Sequence, residues 1–171
     1  LVGSEMCIRD RYKVLLVDDE PIIVEGLSRS IPWERWNCRV VATANDGTEG
    51  KNLIEKERPD IVFMDICMPE MNGLQMIAAL NSQFPDLEVS VLTGYRDFEY
   101  AKEAIRLGVT RFLLKPSNMD ELEEAIECMC ANLNLAHFSR VFKKQVGVSA
   151  NEYRNQVLGK SVSYTHLRAH E

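Results

Sequence analysis

A chain of 171 residues, 46% hydrophobic and 27% charged, suits one soluble domain of ordinary size with some chain to spare. No apolar run reaches the roughly 18 residues of a membrane span, and no secretory leader is visible, so no membrane association and a cytoplasmic location are expected. The net charge of −6 speaks against nucleic-acid binding by the chain as a whole.

The two ends match each other. Met6-Cys7-Ile8-Arg9-Asp10 can be written ATG TGT ATA AGA GAC, whose reverse complement translates as Val162-Ser163-Tyr164-Thr165-His166. The relation extends outward to Leu1 and Glu171 and inward to Arg11 and Ser161. Such strings resemble translated sequencing adaptor, so residues 1–11 and 161–171 are expected to be foreign to the fold. His166, His170 and Cys7 then drop out as ligand candidates.

From Tyr12 the pattern alternates strand and helix. Residues 13–17 read as a first strand, apolar from Val14 onward, that runs into Asp18 and Asp19. Pro21–Ser30 follows as a helix with Ile22, Ile23, Val24 and Leu27 as its apolar face and Pro in the first turn. Ile31-Pro32-Trp33 breaks it. Residues 39–44 form a second strand, Asn45-Asp46-Gly47 a turn, and residues 48–58 a helix stopped by Pro59-Asp60. Residues 61–64, Ile-Val-Phe-Met, read as a buried third strand that ends on Asp65. Met71-Asn72-Gly73 leads into a helix over 74–83, which Pro85 closes. Residues 88–92 are the fourth strand, running into Thr93; Asp97 caps a helix to Leu107, with Gly108 at its C-cap. Residues 111–114 are the fifth strand, followed by Lys115 and Pro116. Ser117 or Asn118 caps a last helix from Met119 to about Leu133, with Leu122, Ile126 and Met129 at helical spacing.

Five such units imply a three-layer α/β domain, a parallel sheet with helices on both faces because crossovers are right-handed. In such sheets sites assemble at the carboxyl ends of the strands. Here those ends carry Asp18, Asp19, Asp65, Thr93 and Lys115. Three acids brought together repel unless a cation neutralises them, and a few hard oxygen ligands suit Mg²⁺. An Asp can act as nucleophile towards phosphorus, while a Lys and a Thr hydroxyl bind the remaining phosphoryl oxygens. The five cysteines, Cys7, Cys38, Cys67, Cys128 and Cys130, are an odd count without CxxC pairs and read as reduced thiols.

Val17-Asp18-Asp19-Glu20-Pro21, Met64-Asp65-Ile66-Cys67-Met68-Pro69-Glu70-Met71-Asn72-Gly73, Leu92-Thr93-Gly94-Tyr95 and Leu114-Lys115-Pro116 resemble the receiver domain of bacterial two-component response regulators, over residues 12–132. The resemblance implies a CheY-like, flavodoxin-like (βα)5 fold with strand order 2-1-3-4-5, and phosphoryl transfer from a sensor histidine kinase to Asp65. Mg²⁺ would be held by Asp19, Asp65 and the Cys67 backbone carbonyl, with Asp18 acting through water. A cis Lys115–Pro116 peptide is implied too. Thr93 and Phe112 take the switch positions; Phe112 lacks the phenol of the commoner Tyr, so its part rests on packing. The face built from the fourth helix, the fifth strand and the last helix is implied to pair two phosphorylated copies as a homodimer. Such a protein is a phosphoacceptor that catalyses its own phosphorylation and dephosphorylation, not a dedicated enzyme.

After His137 the charge reverses: up to residue 160, Arg140, Lys143, Lys144, Arg154 and Lys160 face Glu152 alone. Phe138, Val141 and Phe142 share one helical face, Arg140, Lys143 and Lys144 point to solvent, and a Gly turn precedes a second helix. That is helix-turn-helix grammar. It resembles the end of the second helix-turn-helix of AraC-family transcription factors over residues 135–160, with Ser139, Arg140, Lys143 and Lys144 as its DNA-contacting positions. Such a domain needs on the order of 100 residues, so the linker and first helix-turn-helix are expected to be missing, the full-length parent to bind DNA and regulate transcription, and this chain not to. Two alternatives stand beside this reading. Haloacid-dehalogenase-type phosphatases also use an Asp nucleophile and Mg²⁺, but want Asp-x-Asp after the first strand, where this chain has adjacent Asp18-Asp19. A stand-alone, phosphorylation-dependent protein-binding switch needs no DNA contact at all.

Overall fold

The computed structural model describes residues 11–94 and 96–166, without the side chains of 159–166. Five strands, β1 (Tyr12–Val17), β2 (Cys38–Ala44), β3 (Ile61–Met64), β4 (Glu88–Thr93) and β5 (Arg111–Leu114), form one parallel sheet in the order β2-β1-β3-β4-β5. Helices alternate with them: α1 (Pro21–Ser30), α2 (Gly47–Glu57), α3 (Gly73–Leu80), α4 (Phe98–Arg106) and α5 (Met119–Val146), with α6 (Ala150–His166) after the last. The expected fold class and strand order are both present.

Period-two alternation divides the core. Leu15, Val17, Val62, Met64, Val89 and Val91 point to one face, where they pack with Ile54 of α2, Leu74, Ile77 and Leu80 of α3, and Ala104 of α4. The intervening residues Val14, Leu16, Ile61 and Phe63 are equally buried. Phe63 meets Trp33 edge to face at 5.8 Å between ring centres. α5 contributes Leu122, Ala125, Ile126 and Met129, all buried and spaced for one helical face.

Local chemistry sets the helix starts. Asp46 accepts the Glu49 amide at 2.8 Å ahead of α2. Asn72 and Gln75 form a reciprocal capping box on α3, Asp97 accepts the Glu99 amide at 2.8 Å on α4, and Asn118 accepts the Glu121 amide at 2.8 Å on α5. Asn118 is thus the cap of α5, while Ser117 Oγ donates back to the Leu114 carbonyl.

Several boundaries differ from the sequence reading, β1, β2, α2 and α3 each beginning one residue earlier and β4 ending one residue later. The break after α1 contains a 3₁₀ turn, Trp33–Trp36, closed by Asn37 in the left-handed region. α2 ends at Glu57 because Arg58 turns left-handed as its C-cap. α3 stops at Leu80, before Asn81 and Ser82, both weak helix formers. α5 does not end near Leu133; it runs to Val146, where Gly147, at φ +83, supplies the left-handed stop.

The chain divides into two compact units, Leu1–Ala131 and Asn132–Glu171. In the second, Phe138 packs tilted against Phe142 and Phe142 meets Tyr153 edge to face, each at 5.7 Å between ring centres. Ser149 caps α6 reciprocally with Glu152, whose carboxylate accepts the Ser149 amide at 2.8 Å. The helix continues through His166, into the stretch read as adaptor; residues 1–10 and 167–171, and Tyr95 of the strand-4 motif, lie outside the described residues.

Candidate functional site

Because every strand is parallel, the residues that follow them gather at one edge of the sheet. Each is held by one further bond beyond its strand. The Asp18 amide donates to the Ala44 carbonyl at 3.1 Å, the Asp65 amide to the Val17 carbonyl at 2.9 Å, and the Lys115 amide to the Thr93 carbonyl at 2.8 Å. Gly73 lets the chain after β3 fold back: a Cβ there would collide with the Asp65 carbonyl oxygen and the Met64 side chain.

The side chains converge. Lys115 Nζ lies 2.7 Å from Asp18 Oδ2, 2.9 Å from Asp65 Oδ2 and 3.4 Å from Glu20 Oε1. Asp18 and Asp65 are buried and Asp19 is exposed, yet one oxygen of each lies within 4.8 Å of the others. The second oxygens are engaged by backbone: Asp18 Oδ1 accepts the Glu20 amide at 2.9 Å and Asp65 Oδ1 the Cys67 amide at 3.2 Å. Thr93 is fully buried at the end of β4. Phe112 is partly buried against the core and, with Arg96, Arg111 and Leu113, lines a cleft of about 400 Å³ that reaches Lys115. The Lys115–Pro116 peptide bond is cis.

The electrostatics follow from burial and pairing. Burial raises Asp18 above the ordinary carboxylate range, against the pull of its Lys115 hydrogen bond. Burial alone would pull the Lys115 amine down; its bonds to Asp18 and Asp65 outweigh that and set it above its ordinary value. The Cys67 thiol is pushed up by burial and by the Asp65 charge, while Tyr100 hydrogen-bonds its sulfur. Three carboxylates with an open, exposed side are a hard-oxygen donor set of the kind that suits Mg²⁺. Glu20 and Tyr100 carry no role in the sequence reading. Glu20 was legible as an acid directly after Asp18-Asp19; Tyr100 lies thirty-three positions from Cys67 and gave no local signal.

A family model described as the response regulator receiver domain matches residues 14–127. The chain belongs to the response regulator receiver family. The receiver is followed by a match to the bacterial regulatory helix-turn-helix proteins of the AraC family over residues 128–155. The transcriptional regulatory protein YesN of Bacillus subtilis is 39% identical over 122 residues, covering 71% of this chain and 33% of that protein. The transcriptional regulatory protein HptR of Staphylococcus aureus is 40% identical over 112 residues, covering 66% of this chain and 44% of that protein. The chain therefore spans between a third and a half of these two relatives. Among solved structures, the receiver domain of the response regulator AraT from Geobacillus stearothermophilus superposes with a TM-score of 0.70 at 41% identity, covering 74% of this chain and 98% of that one.

The positions assigned to DNA contact lie elsewhere. Ser139, Arg140, Lys143 and Lys144 are exposed residues of α5 within the unit Asn132–Glu171. Among the described residues no helix is long and apolar enough to cross a membrane.

Proposed function

We propose that this receiver, residues 12–132, takes a phosphoryl group from the phosphohistidine of a sensor kinase onto Asp65, and that in the full-length parent it controls transcription through an AraC-type domain of which residues 135–160 are a part. The observation that carries this reading is the Lys115 amine set between Asp18 and Asp65, at 2.7 and 2.9 Å, at the carboxyl edge of a parallel sheet. A cation bound to the acceptor carboxylate is placed to follow the charge when that carboxylate becomes an acyl phosphate.

In this mechanism an Asp65 oxygen attacks phosphorus, the P–N bond to imidazole breaks, and the imidazole leaves with the bonding pair. Lys115 transfers its hydrogen bond from the carboxylate to a phosphoryl oxygen, and the Thr93 hydroxyl, at the end of the neighbouring strand, donates to another. Asp19, Asp65 and the Cys67 backbone carbonyl would hold Mg²⁺, with Asp18 acting through water; its chemistry there is to neutralise the carboxylates and draw charge from the transferred group. Movement of Thr93 towards the phosphoryl group vacates space beneath it, and Phe112 turns inward by packing alone. The face that then pairs two copies carries exposed Phe98, Ile105 and Met119, apolar side chains suited to an interface.

Intact-mass measurement after incubation with Mg²⁺ and acetyl phosphate tests the acceptor. One phosphoryl addition, absent in Asp65→Asn, is the expected result. A folded protein that takes up none overturns the reading. A second reading, a protein-binding switch without DNA contact, is favoured by the shortness of the helix-turn-helix match, residues 128–155. DNA affinity with a steep salt dependence would exclude it.

A further inference from the structure

The segment between α1 and β2 is fastened to α5 along one stripe. Arg35 Nη1 lies 3.3 Å from Glu123 Oε2, Trp36 Nε1 donates to Glu127 Oε1 at 3.4 Å, and Cys38 Sγ lies 3.7 Å from Cys130 Sγ. Residues 123, 127 and 130 are spaced to stand on one face of a helix. The first two contacts are exposed and polar. The third is different, since Cys38 is fully buried and Cys130 is 8% exposed. The Trp36 carbonyl accepts from both sulfurs, at 3.5 Å from Cys38 and 3.9 Å from Cys130, so the two thiols share one anchor.

We propose that Cys38 and Cys130 are an oxidisable dithiol that a peroxide converts to a disulfide, tying the first residue of the edge strand β2 to α5. The sulfurs need close by only about 1.7 Å to reach the ~2.05 Å of an S–S bond. Cys130, the less buried, reacts first. Its thiolate attacks one peroxide oxygen, the O–O bond breaks, and the sulfenic acid forms with hydroxide, which takes up the thiol proton as water. The Cys38 sulfur then attacks the Cys130 sulfur, the S–O bond breaks, and the Cys38 proton leaves with the hydroxyl group as a second water. Two thiols lose two electrons and two protons; one peroxide becomes two waters. Either thiol can donate across the 3.7 Å contact; the slight exposure of Cys130 and the complete burial of Cys38 assign the two roles.

The bond lies at the amino-terminal edge of the sheet, because Cys38 begins β2, whereas Asp65 follows the carboxyl end of β3. It therefore leaves the acceptor pocket intact and restrains α5 at Cys130, one residue before the unit ends at Ala131. Cys128, two positions earlier on the helix, faces away from this stripe.

The test uses the full chain, folded, with hydrogen peroxide as oxidant, followed by denaturation, alkylation with iodoacetamide and mass analysis without reductant. The oxidised protein should take up three alkyl groups where the reduced protein takes up five, one for each cysteine. Peptide mapping should show residue 38 cross-linked to residue 130, reversibly by dithiothreitol. Cys38→Ala and Cys130→Ala should each abolish the cross-link while Cys128→Ala retains it, and the mapping on the unaltered chain decides alone if a variant fails to fold. The urea midpoint read from tryptophan fluorescence should rise on oxidation. Five alkyl groups after peroxide, a cross-link between other cysteines, a single over-oxidised thiol without a cross-link, or a midpoint that falls would each overturn the proposal.

Discussion

Replacing Lys115 with Met asks whether the carboxylate cluster depends on its amine. The Lys115 side chain is 14% exposed, and those of its partners Asp18 and Asp65 are 4% and 8% exposed. Met keeps the length and apolar stem but not the charge, so two buried carboxylates are left side by side. Removing one partner of a buried ion pair costs ~3–5 kcal/mol. Water reaches the cluster from the exposed Asp19 side, which puts the expected loss at the low end, about 3 kcal/mol near neutral pH with a chelator present. The pH dependence is diagnostic. Burial holds Asp18 above its ordinary 3.8 even with the amine in place. A carboxyl raised on folding keeps its proton where the unfolded chain has released it, so its penalty is absent below 3.8 and grows as pH rises through the raised folded value. Loss of the amine raises Asp18 further, and the deficit of the variant should widen from acid towards neutrality. Urea titration followed by fluorescence reads this directly, since both tryptophans, Trp33 and Trp36, belong to the receiver. A deficit under about 1 kcal/mol, or one that does not change with pH, would refute the dependence of the carboxylates on Lys115.

Other expected outcomes follow from single contacts. Gly73→Ala drives a Cβ into the Asp65 carbonyl oxygen; it should cost ~1–3 kcal/mol and slow phosphoryl uptake from acetyl phosphate, both readable by the urea and mass assays, and an unchanged uptake rate would count against the close approach. Asn118→Ala removes the bond from the Glu121 amide and should cost ~1 kcal/mol in the same titration. Glu152 is held below its ordinary 4.5 by the Ser149 amide and hydroxyl; a depressed carboxyl stabilises above 4.5 and loses that contribution as pH falls through its folded value, so carbon-detected titration should give a midpoint under 4.5 that Ser149→Ala moves upward. Phe98 and Ile105 stand seven residues apart on α4 and are 76% and 77% exposed; with both replaced by Ala, sedimentation of the phosphorylated protein should show monomer, and persistent dimer would remove this face from the interface.

Most of the fold and the pocket could be read from residue order. Strand ends are marked by abrupt changes from apolar to charged residues, as at Val17-Asp18, Met64-Asp65 and Leu114-Lys115, and the parallel sheet brings such ends together whatever lies between them. The caps at Asp97 and Asn118 were equally legible, because each acts within three residues of itself, whereas Asp46 and Asn72 read only as turn residues. What stayed hidden depends on distance along the chain. The Cys38–Cys130 contact spans ninety-two positions and the Lys115–Glu20 contact ninety-five, and no local pattern encodes which of five cysteines or which of the many acids will meet.

α5 shows a different failure. Its apolar stripe, Leu122, Ile126 and Met129, fades near Leu133, and the resemblance to a receiver also ends there, so both signals placed a boundary that the backbone does not have. Between Pro116 and Gly147 the sequence contains neither Gly nor Pro. Helix propagation needs one added hydrogen bond per residue, whereas a stop needs a residue that disfavours the next one. Ala131, Leu133, Leu135 and Ala136 are good helix formers, and the interposed Asn132 and Asn134 cost only tenths of a kcal/mol each, roughly. The helix therefore continues until Gly147 can turn left-handed. A change of partner along a helix, from the receiver core to the aromatic ladder of Phe138, Phe142 and Tyr153, is a change of tertiary context, and backbone punctuation does not record it.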